Sequence, residues 1–283
     1  MTIFETDIQK KHIYPFLYGI SKVVDECKLQ IRRDCIFVKE RDPANVCEIN
    51  TRLPVLLEID RLYVTDEPIV FGLDIEKYIK IFTDDDNITD DSVFKITLLD
   101  PVDGDSPQLS TVIYNRDIEQ VRYTHNTMRI ESLRKCLRKS DKSINLVNLV
   151  SKLPVEITMP LRFLLRGVKA VERVGSDHVY IGVDFDTQES ASVLFIRSFD
   201  SPDIATTQIK TSLLPGFNNR VSRHVIVNSL YSIEYLSDII KGFSEYGIDK
   251  NIRLNLGNNM PLIISTVDDI SPELSVALAP RVE

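Results

Sequence analysis

Pro160–Val174 reads PLRFLLRGVKAVERV, and Tyr14–Glu26 reads YPFLYGISKVVDE. In the first stretch Leu161, Leu164, Leu165, Val168 and Val171 recur at helical spacing, behind a proline suited to a first turn. In the second, Phe16, Leu17, Ile20, Val23 and Val24 fall on one stripe, and Pro15 is expected in the opening turn. Phe16, Leu17 and Val24 stand at a constant offset of 147 from Phe163, Leu164 and Val171. Two helices of one pattern, so far apart, predict two similar domains and not a short-period solenoid.

Two shorter helices extend the repeat. Asp74–Phe82 (DIEKYIKIF) opens on an N-capping Asp, and Ser229–Phe243 (SLYSIEYLSDIIKGF) carries Ile233, Leu236, Ile240 and Phe243. Both contain Ile-Glu followed by an apolar ladder. Most of the remainder reads as short strands rich in Val, Ile, Tyr and Thr, among them CIFVKE, SVFKITLLD, HVYIGVDFD, SVLFIRSF and PLIISTV. DPVDGDSPQ (Asp100–Gln108) is a hairpin turn. The fold class is therefore α+β: two similar domains over 1–130 and 154–283, each with two helices on antiparallel sheets, joined by a long connector over 131–153. That connector lies within RIESLRKCLRKSDKSINLVNLVSKL, which lacks glycine and is basic at Arg129, Arg134, Lys135, Arg138, Lys139 and Lys142.

Composition narrows the function. Cys27, Cys35, Cys47 and Cys136 form no CxxC and suggest small buried hydrophobes in a reducing compartment. The N-terminus MTIFETDIQKKHIY has charges where a signal peptide needs an apolar centre, and no apolar run approaches the ~20 residues of a spanning helix. An intracellular protein away from the membrane is expected. Neither common phosphate loop is present, and His12, His125, His178 and His224 are isolated. The acidic run Thr83–Asp91 offers Asp84, Asp86, Asp90 and Asp91 but lacks the glycine of a calcium loop, so a solvated loop is the simpler reading. No catalytic set, metal or cofactor is expected.

The net charge of -8 hides a segregation. Arg162, Arg166, Lys169 and Arg173 share the polar face of their helix, opposite its Leu/Val stripe. Lys77 and Lys80 lie on the second helix and Lys241 on the fourth, while acids concentrate in loops and strands such as Asp84–Asp86, Asp184 and Asp268. A face of one sign repels itself unless something anionic lies opposite, which points to phosphates contacted without regard to base sequence.

The two-domain plan resembles the proliferating-cell nuclear antigen family of sliding clamps, essentially end to end. The tail Leu278-Ala279-Pro280-Arg281-Val282-Glu283 is similar to the family's closing Leu-Ala-Pro-basic-aliphatic-Glu. Pro261-Leu262-Ile263-Ile264 resembles its preceding strand, Asp42 through Val46 its Asp-x-x-x-Val loop, and Phe71-Gly72-Leu73 its strand into the second helix. The resemblance implies a ring, commonly of three subunits, in which helices line a hole around double-stranded DNA. Lys77, Lys80, Arg162, Arg166, Lys169, Arg173 and Lys241, with Lys10, Lys11 and Lys22 of the first helix, then become candidates for loose phosphate contacts.

It also implies a partner groove beneath the connector, formed by Val46, Pro261, Leu278, Ala279 and Pro280 with Ile144, Leu146 and Leu149 as walls. DNA polymerase, a clamp loader and other DNA enzymes bearing a short peptide motif would dock there. Subunits, identical or paralogous, would pair through edge strands at Gln120–Arg129 and Ser192–Phe199. Two other readings stand beside this one: a clamp-fold scaffold of transcription or checkpoint type that forms no ring, and an unrelated two-domain enzyme.

Overall fold

A computed structural model describes residues 2–32, 34–54, 69–83, 88–99, 107–115, 118–127, 146–186, 191–220, 226–267 and 272–281. Period-two alternation builds most of it: along Val93–Leu99 the residues Phe94, Ile96 and Leu98 are buried while their neighbours are half-exposed. Contacts divide the chain into two compact units. Unit 1 is Met1–Pro43, Ile49–Asp141 and Ile270–Leu274; unit 2 is Ala44–Glu48, Lys142–Asp269 and Ser275–Glu283. The division falls inside the expected connector, most of which lies outside the described residues. Each unit also takes a short segment from the other's half of the sequence.

Unit 1 runs β1 (Thr2–Gln9), α1 (Lys10–Ser21), β2 (Glu26–Ile31), β3 (Cys35–Arg41), β4 (Cys47–Pro54), β5 (Ile69–Asp74), α2 (Ile75–Ile79, prolonged by a 3-10 turn at Lys80–Phe82), β6 (Val93–Leu99), β7 (Gln108–Asn115) and β8 (Ile118–Asn126). Its strands are ordered β1-β6-β7-β8 and β4-β3-β2-β5. Asp74 caps α2, its side chain accepting from the Lys77 amide at 3.0 Å. Phe82 stacks on Phe94 at 4.4 Å, and the buried Tyr78 hydroxyl meets Thr111 Oγ1 at 2.9 Å, which fastens α2 to the sheet. Leu99 pairs with Gln108, as a hairpin requires; its turn lies outside the described residues.

Unit 2 runs α3 (Leu146–Val150), β9 (Val155–Pro160), α4 (Leu161–Arg173), β10 (His178–Asp186), β11 (Ala191–Ser198), β12 (Thr206–Lys210), β13 (Gly216–Asn219), β14 (Val227–Ser232), α5 (Ile233–Ser244), β15 (Asn251–Leu256), β16 (Leu262–Thr266) and β17 (Glu273–Leu278). Its strands are ordered β12-β11-β10-β14 and β13-β9-β15-β16-β17. Helices α4 and α5 pack on each other, α4 also touching β11 and β12 and α5 touching β14.

The duplication recurs in the hydrogen bonds of the two units. The amides of Lys10 and Lys11 donate to the carbonyls of Ser92 and Asp90; those of Leu161 and Arg162 donate likewise to Lys250 and Ile248. Ile75 N donates to Asp25 O at 2.8 Å and Ile233 N to Asp177 O at 3.0 Å. These backbone carbonyls satisfy helix-start amides that have no partner within the helix. The equivalence sets Lys10 against Leu161, an offset of 151, and aligns the buried Ile13, Leu17 and Ile20 with Leu164, Val168 and Val171.

The expected offset of 147 is corrected accordingly: β1 feeds straight into α1 at Lys10, so Pro15 sits inside the helix. Its missing N–H leaves only the Lys11 carbonyl without its usual partner. The fourth helix likewise starts at Ile233, because Ser229–Ser232 continue β14 with Leu230 and Tyr231 paired to Tyr180 and Val179. The expected edge Ser192–Phe199 is corrected as well. β11 pairs with β10 and β12, and among the described residues β12 is the edge of that sheet. β8, over most of Gln120–Arg129, ends the first sheet as expected.

Candidate nucleic-acid interface and partner groove

Arg162, Arg166, Lys169 and Arg173 are all exposed on α4, while Leu161, Leu164, Gly167, Val168 and Val171 are buried on the opposite side. At about 100° per residue the four cations fall within a strip of about 60°. Arg162 is engaged, its guanidinium ion-paired with Asp249. Arg166, Lys169 and Arg173 have no ion-pair or hydrogen-bond partner among the described residues. Three adjacent, solvated, unneutralised cations are the strongest positive feature on the described helices.

The other candidate cations are placed differently. Lys10 is half-buried, its ammonium donating to the Ile88 carbonyl at 3.1 Å and lying 5.5 Å from the Tyr14 ring centroid. Lys11 pairs with Asp91 at 3.6 Å, and Lys22 lies over the Tyr18 ring at 4.4 Å. Burial and the neighbouring Lys11 cation both lower the His12 pKa, so its imidazole adds no charge near neutral pH. Lys77 bonds Asp74 at 2.7 Å, and Lys80 is exposed in the field of the same carboxylate. Lys241 pairs with Asp238 at 2.8 Å. Exposed pairs of this kind are weak and exchange with solvent.

The candidate groove residues all belong to unit 2. Backbone bonds draw three distant segments around β14: Asn259 N donates to Asn228 O, Arg281 N to Leu230 O at 2.7 Å, and Ala279 N to Val46 O at 2.8 Å. Ser229 Oγ donates to Gly257 O and accepts from Met260 N, while the Tyr231 hydroxyl donates to Met260 O at 2.8 Å. Asn45 and Asn259 take left-handed φ of 59° and 51°, a conformation asparagine tolerates. Val46, Pro261, Ala279 and Pro280 thereby gather half-buried on this side of the unit.

One expected groove residue and one expected wall are corrected to core. Leu278 is fully buried because β17 turns it inward opposite Leu262, and Leu146 packs in α3 against Leu153, Ile263 and Ala277. Leu149 stays half-buried on the rim, joined by Val150 and Met260, which the sequence reading missed; Ile144 lies outside the described residues. A methionine beside a proline at a strand end was the available signal, since its flexible thioether adapts to varied apolar ligands.

Ser176, His178 and Asp200 form the one grouping that resembles a nucleophile set among the described residues. Its connectivity is wrong for that chemistry. The Ser176 hydroxyl bonds the Asp200 carboxylate instead of the imidazole, and His178 Nδ1 meets the other Asp200 oxygen at 2.7 Å. Asp200 also accepts from the amides of Asp177 and His178, and Ser201 bonds the Val174 carbonyl. The grouping staples the end of α4 to the loop before β12. Partial burial acts to raise the Asp200 pKa, but the bonds from Ser176, His178 and the backbone outweigh it and hold the carboxyl well below its usual range. A depressed folded-state pKa stabilises above the unfolded value of about 4 and is lost as pH falls through the folded value. Asp200→Asn is therefore expected to lower the melting temperature near neutral pH. In thermal scans the gap from the parent should narrow below about pH 4.

Among the described residues no group of three or more His, Cys, Asp or Glu is placed to hold a metal ion. The Asp91 carboxylate pairs with Lys11, the Asp90 backbone carbonyl accepts from the Lys11 amide, and Asp84 and Asp86 lie outside the described residues. Among the described residues, too, no helix is long and apolar enough to cross a membrane.

No protein-family model matches the chain. The curated DNA polymerase sliding clamp of Methanococcoides burtonii is 28% identical over an alignment of 302 positions covering 99% of both chains. That of Methanothrix thermoacetophila is 26% identical, covering 94% of this chain and 93% of its own. Among solved structures, PCNA from Thermococcus kodakaraensis superposes with a TM-score of 0.75 at 17% identity, covering 98% of this chain and 100% of that one. A. fulgidus PCNA, solved with the C-terminal region of FEN-1, gives 0.74 at 18% identity and covers 99% of both chains. Over its whole length the chain is thus similar to curated DNA polymerase sliding clamps, and it has the fold of PCNA.

Proposed function

We propose that this chain is a subunit of a sliding clamp of the PCNA family, which encloses duplex DNA and tethers DNA polymerase and other DNA enzymes to it, inside the cell and without chemistry of its own. The observation that carries the reading is the run of exposed cations Arg166, Lys169 and Arg173 on α4, which have no ion-pair or hydrogen-bond partner among the described residues. Such a face holds phosphates loosely and without sequence preference, as a ring that slides requires. Of the ten lysines and arginines expected at DNA, these three are the principal contacts; Lys11, Lys22, Lys77 and Lys80 contribute at the margin. The half-buried group Val46, Leu149, Met260, Pro261, Ala279 and Pro280 takes the apolar anchors of a partner peptide.

Assembly is proposed as a ring of three, identical or paralogous, closed between the edges β8 and β12. Beside β12, Ile204 and Leu213 are 71% and 73% exposed, and a neighbouring subunit would cover them along with the open strand. Light scattering behind a sizing column should give about three times the 32.3 kDa chain. Loaded onto nicked circular duplex, the protein should stay bound through gel filtration and come off once the circle is cut. A monomer that leaves circular and linear DNA equally fast would replace the ring with a non-encircling scaffold of the same fold.

A further inference from the structure

The exposed stripe of α5 repeats the register of α4 with the sign changed. On α4 the positions Arg162, Arg166, Lys169 and Arg173 carry four cations; on α5 the same i, i+4, i+7, i+11 spacing carries Glu234, Asp238 and Lys241, with Glu245 at the helix C-cap. Each stripe lies opposite its helix's buried face, which in α5 is Leu236, Ile239, Ile240, Gly242 and Phe243. The helices are neighbours on one sheet, and the Ser237 hydroxyl of α5 bonds the Glu172 carboxylate of α4. The stripes therefore look out from the same side of unit 2. Lys241, the single cation of the second stripe, is ion-paired to Asp238, so the α5 face is net negative.

We propose that α5 is an electronegative counter-face: it excludes the DNA backbone from its half of the helical layer, confines phosphate contact in unit 2 to α4, and keeps the hold on duplex weak. This rests on the proposed function, in which the helices face DNA. A phosphate drawn to Arg166 or Lys169 meets repulsion if it moves toward Glu234 and Asp238, so the two helices act as a rail and a fence. A face of mixed sign also has fewer counterions to release on binding, which flattens the salt dependence and shortens each contact. The surface suits a duplex that must be positioned and yet move.

The test compares three variants of the full chain with the parent: Glu234→Lys with Asp238→Lys, Arg166→Glu with Lys169→Glu, and Asp184→Lys with Asp203→Lys. The last adds the same charge at two exposed positions outside both helices, one on β10 and one in the loop before β12. The probe is a fluorescent linear duplex followed by anisotropy between about 50 and 200 mM salt. The α5 variant is expected to bind at least about tenfold tighter at the low-salt end. Its salt slope should steepen by about 1.8, close to 0.9 for each of two new phosphate contacts. The α4 variant should lose binding and the control should stay near the parent. If the α4 variant loses binding while the α5 variant matches the parent, or the control tightens as much as the α5 variant, the counter-face is overturned and the DNA-facing assignment stands. If the α4 variant binds like the parent, the assignment of the helical face to DNA falls with it.

Discussion

Arg166→Glu, Lys169→Glu and Arg173→Glu together should leave a folded clamp that no longer stimulates a DNA polymerase. Each side chain is exposed and has no hydrogen-bond or ion-pair partner among the described residues, so its replacement breaks no such bond there. Exposed substitutions of this kind usually cost within about 0.5 kcal/mol each. Glu at 173, in the last turn of α4, opposes the helix dipole for roughly a further 0.3–1 kcal/mol. Against that small structural cost stands the conversion of three phosphate attractions into three repulsions. The salt slope of duplex binding should fall by about 2.7, near 0.9 per lost contact. Primer extension with clamp and loader should drop to the level of polymerase alone, with the melting temperature changed by no more than a few degrees. Arg162→Ala should cost much less, because Asp249 already holds that guanidinium. Full stimulation by the triple variant would remove α4 from the DNA surface.

What the sequence disclosed follows from which forces are periodic. In α4 the apolar and basic residues obey one 3.6-residue period on opposite sides, so helix, buried face and candidate surface were legible together. In β1 Phe4, Thr6 and Ile8 are buried and alternate with Glu5 and Asp7, but a threonine in the inward series and two carboxylates beside it make the apolar period faint in the sequence. β12 (TTQIK) has little apolar content and alternates only between exposed and half-buried, so the sequence signal for a strand is stronger at the more hydrophobic β11 than at the edge itself. Pro15 misled by its commonest use, which shifted the first helix and the repeat offset. Pairings were legible only where they are local. Lys77 with Asp74 and Lys241 with Asp238 are three apart, whereas Arg162 with Asp249 joins positions 87 apart through the repeat itself. In the tail, only the register of β17 on β16 separates buried Leu278 from half-buried Ala279.

Gly182→Ala should lower thermal stability more than any other single-methyl addition at the described glycines of unit 2. The stretch HVYIGVDFD has a glycine where a strand prefers a branched or aromatic side chain, a sign of close backbone approach. Gly182 sits in the middle of β10, opposite Phe195 of β11 and Asn228 of β14. A Cβ there would lie 2.3 Å from the Val227 carbonyl oxygen, 2.7 Å from Phe195 Cζ and 2.9 Å from Asn228 Cα. The aromatic ring can turn away, but the carbonyl and the Cα are backbone, so β10 and β14 must part and weaken the ladder that joins them. Overpacking of this kind costs typically about 1–3 kcal/mol. At roughly 2–4 °C per kcal/mol for a chain of this order, the midpoint should fall by about 2–12 °C. Gly175→Ala is the internal comparison: its φ of +70° strains any side chain, yet a Cβ there meets nothing within 4 Å. Its cost should stay near 1 kcal/mol. Because β10 and β12 flank β11 in one sheet, the Gly182 variant should also lose assembly at concentrations where Gly175→Ala keeps it. Equal melting temperatures for the two variants would mean that β14 yields without cost, and that the close approach at Gly182 does not hold the sheet.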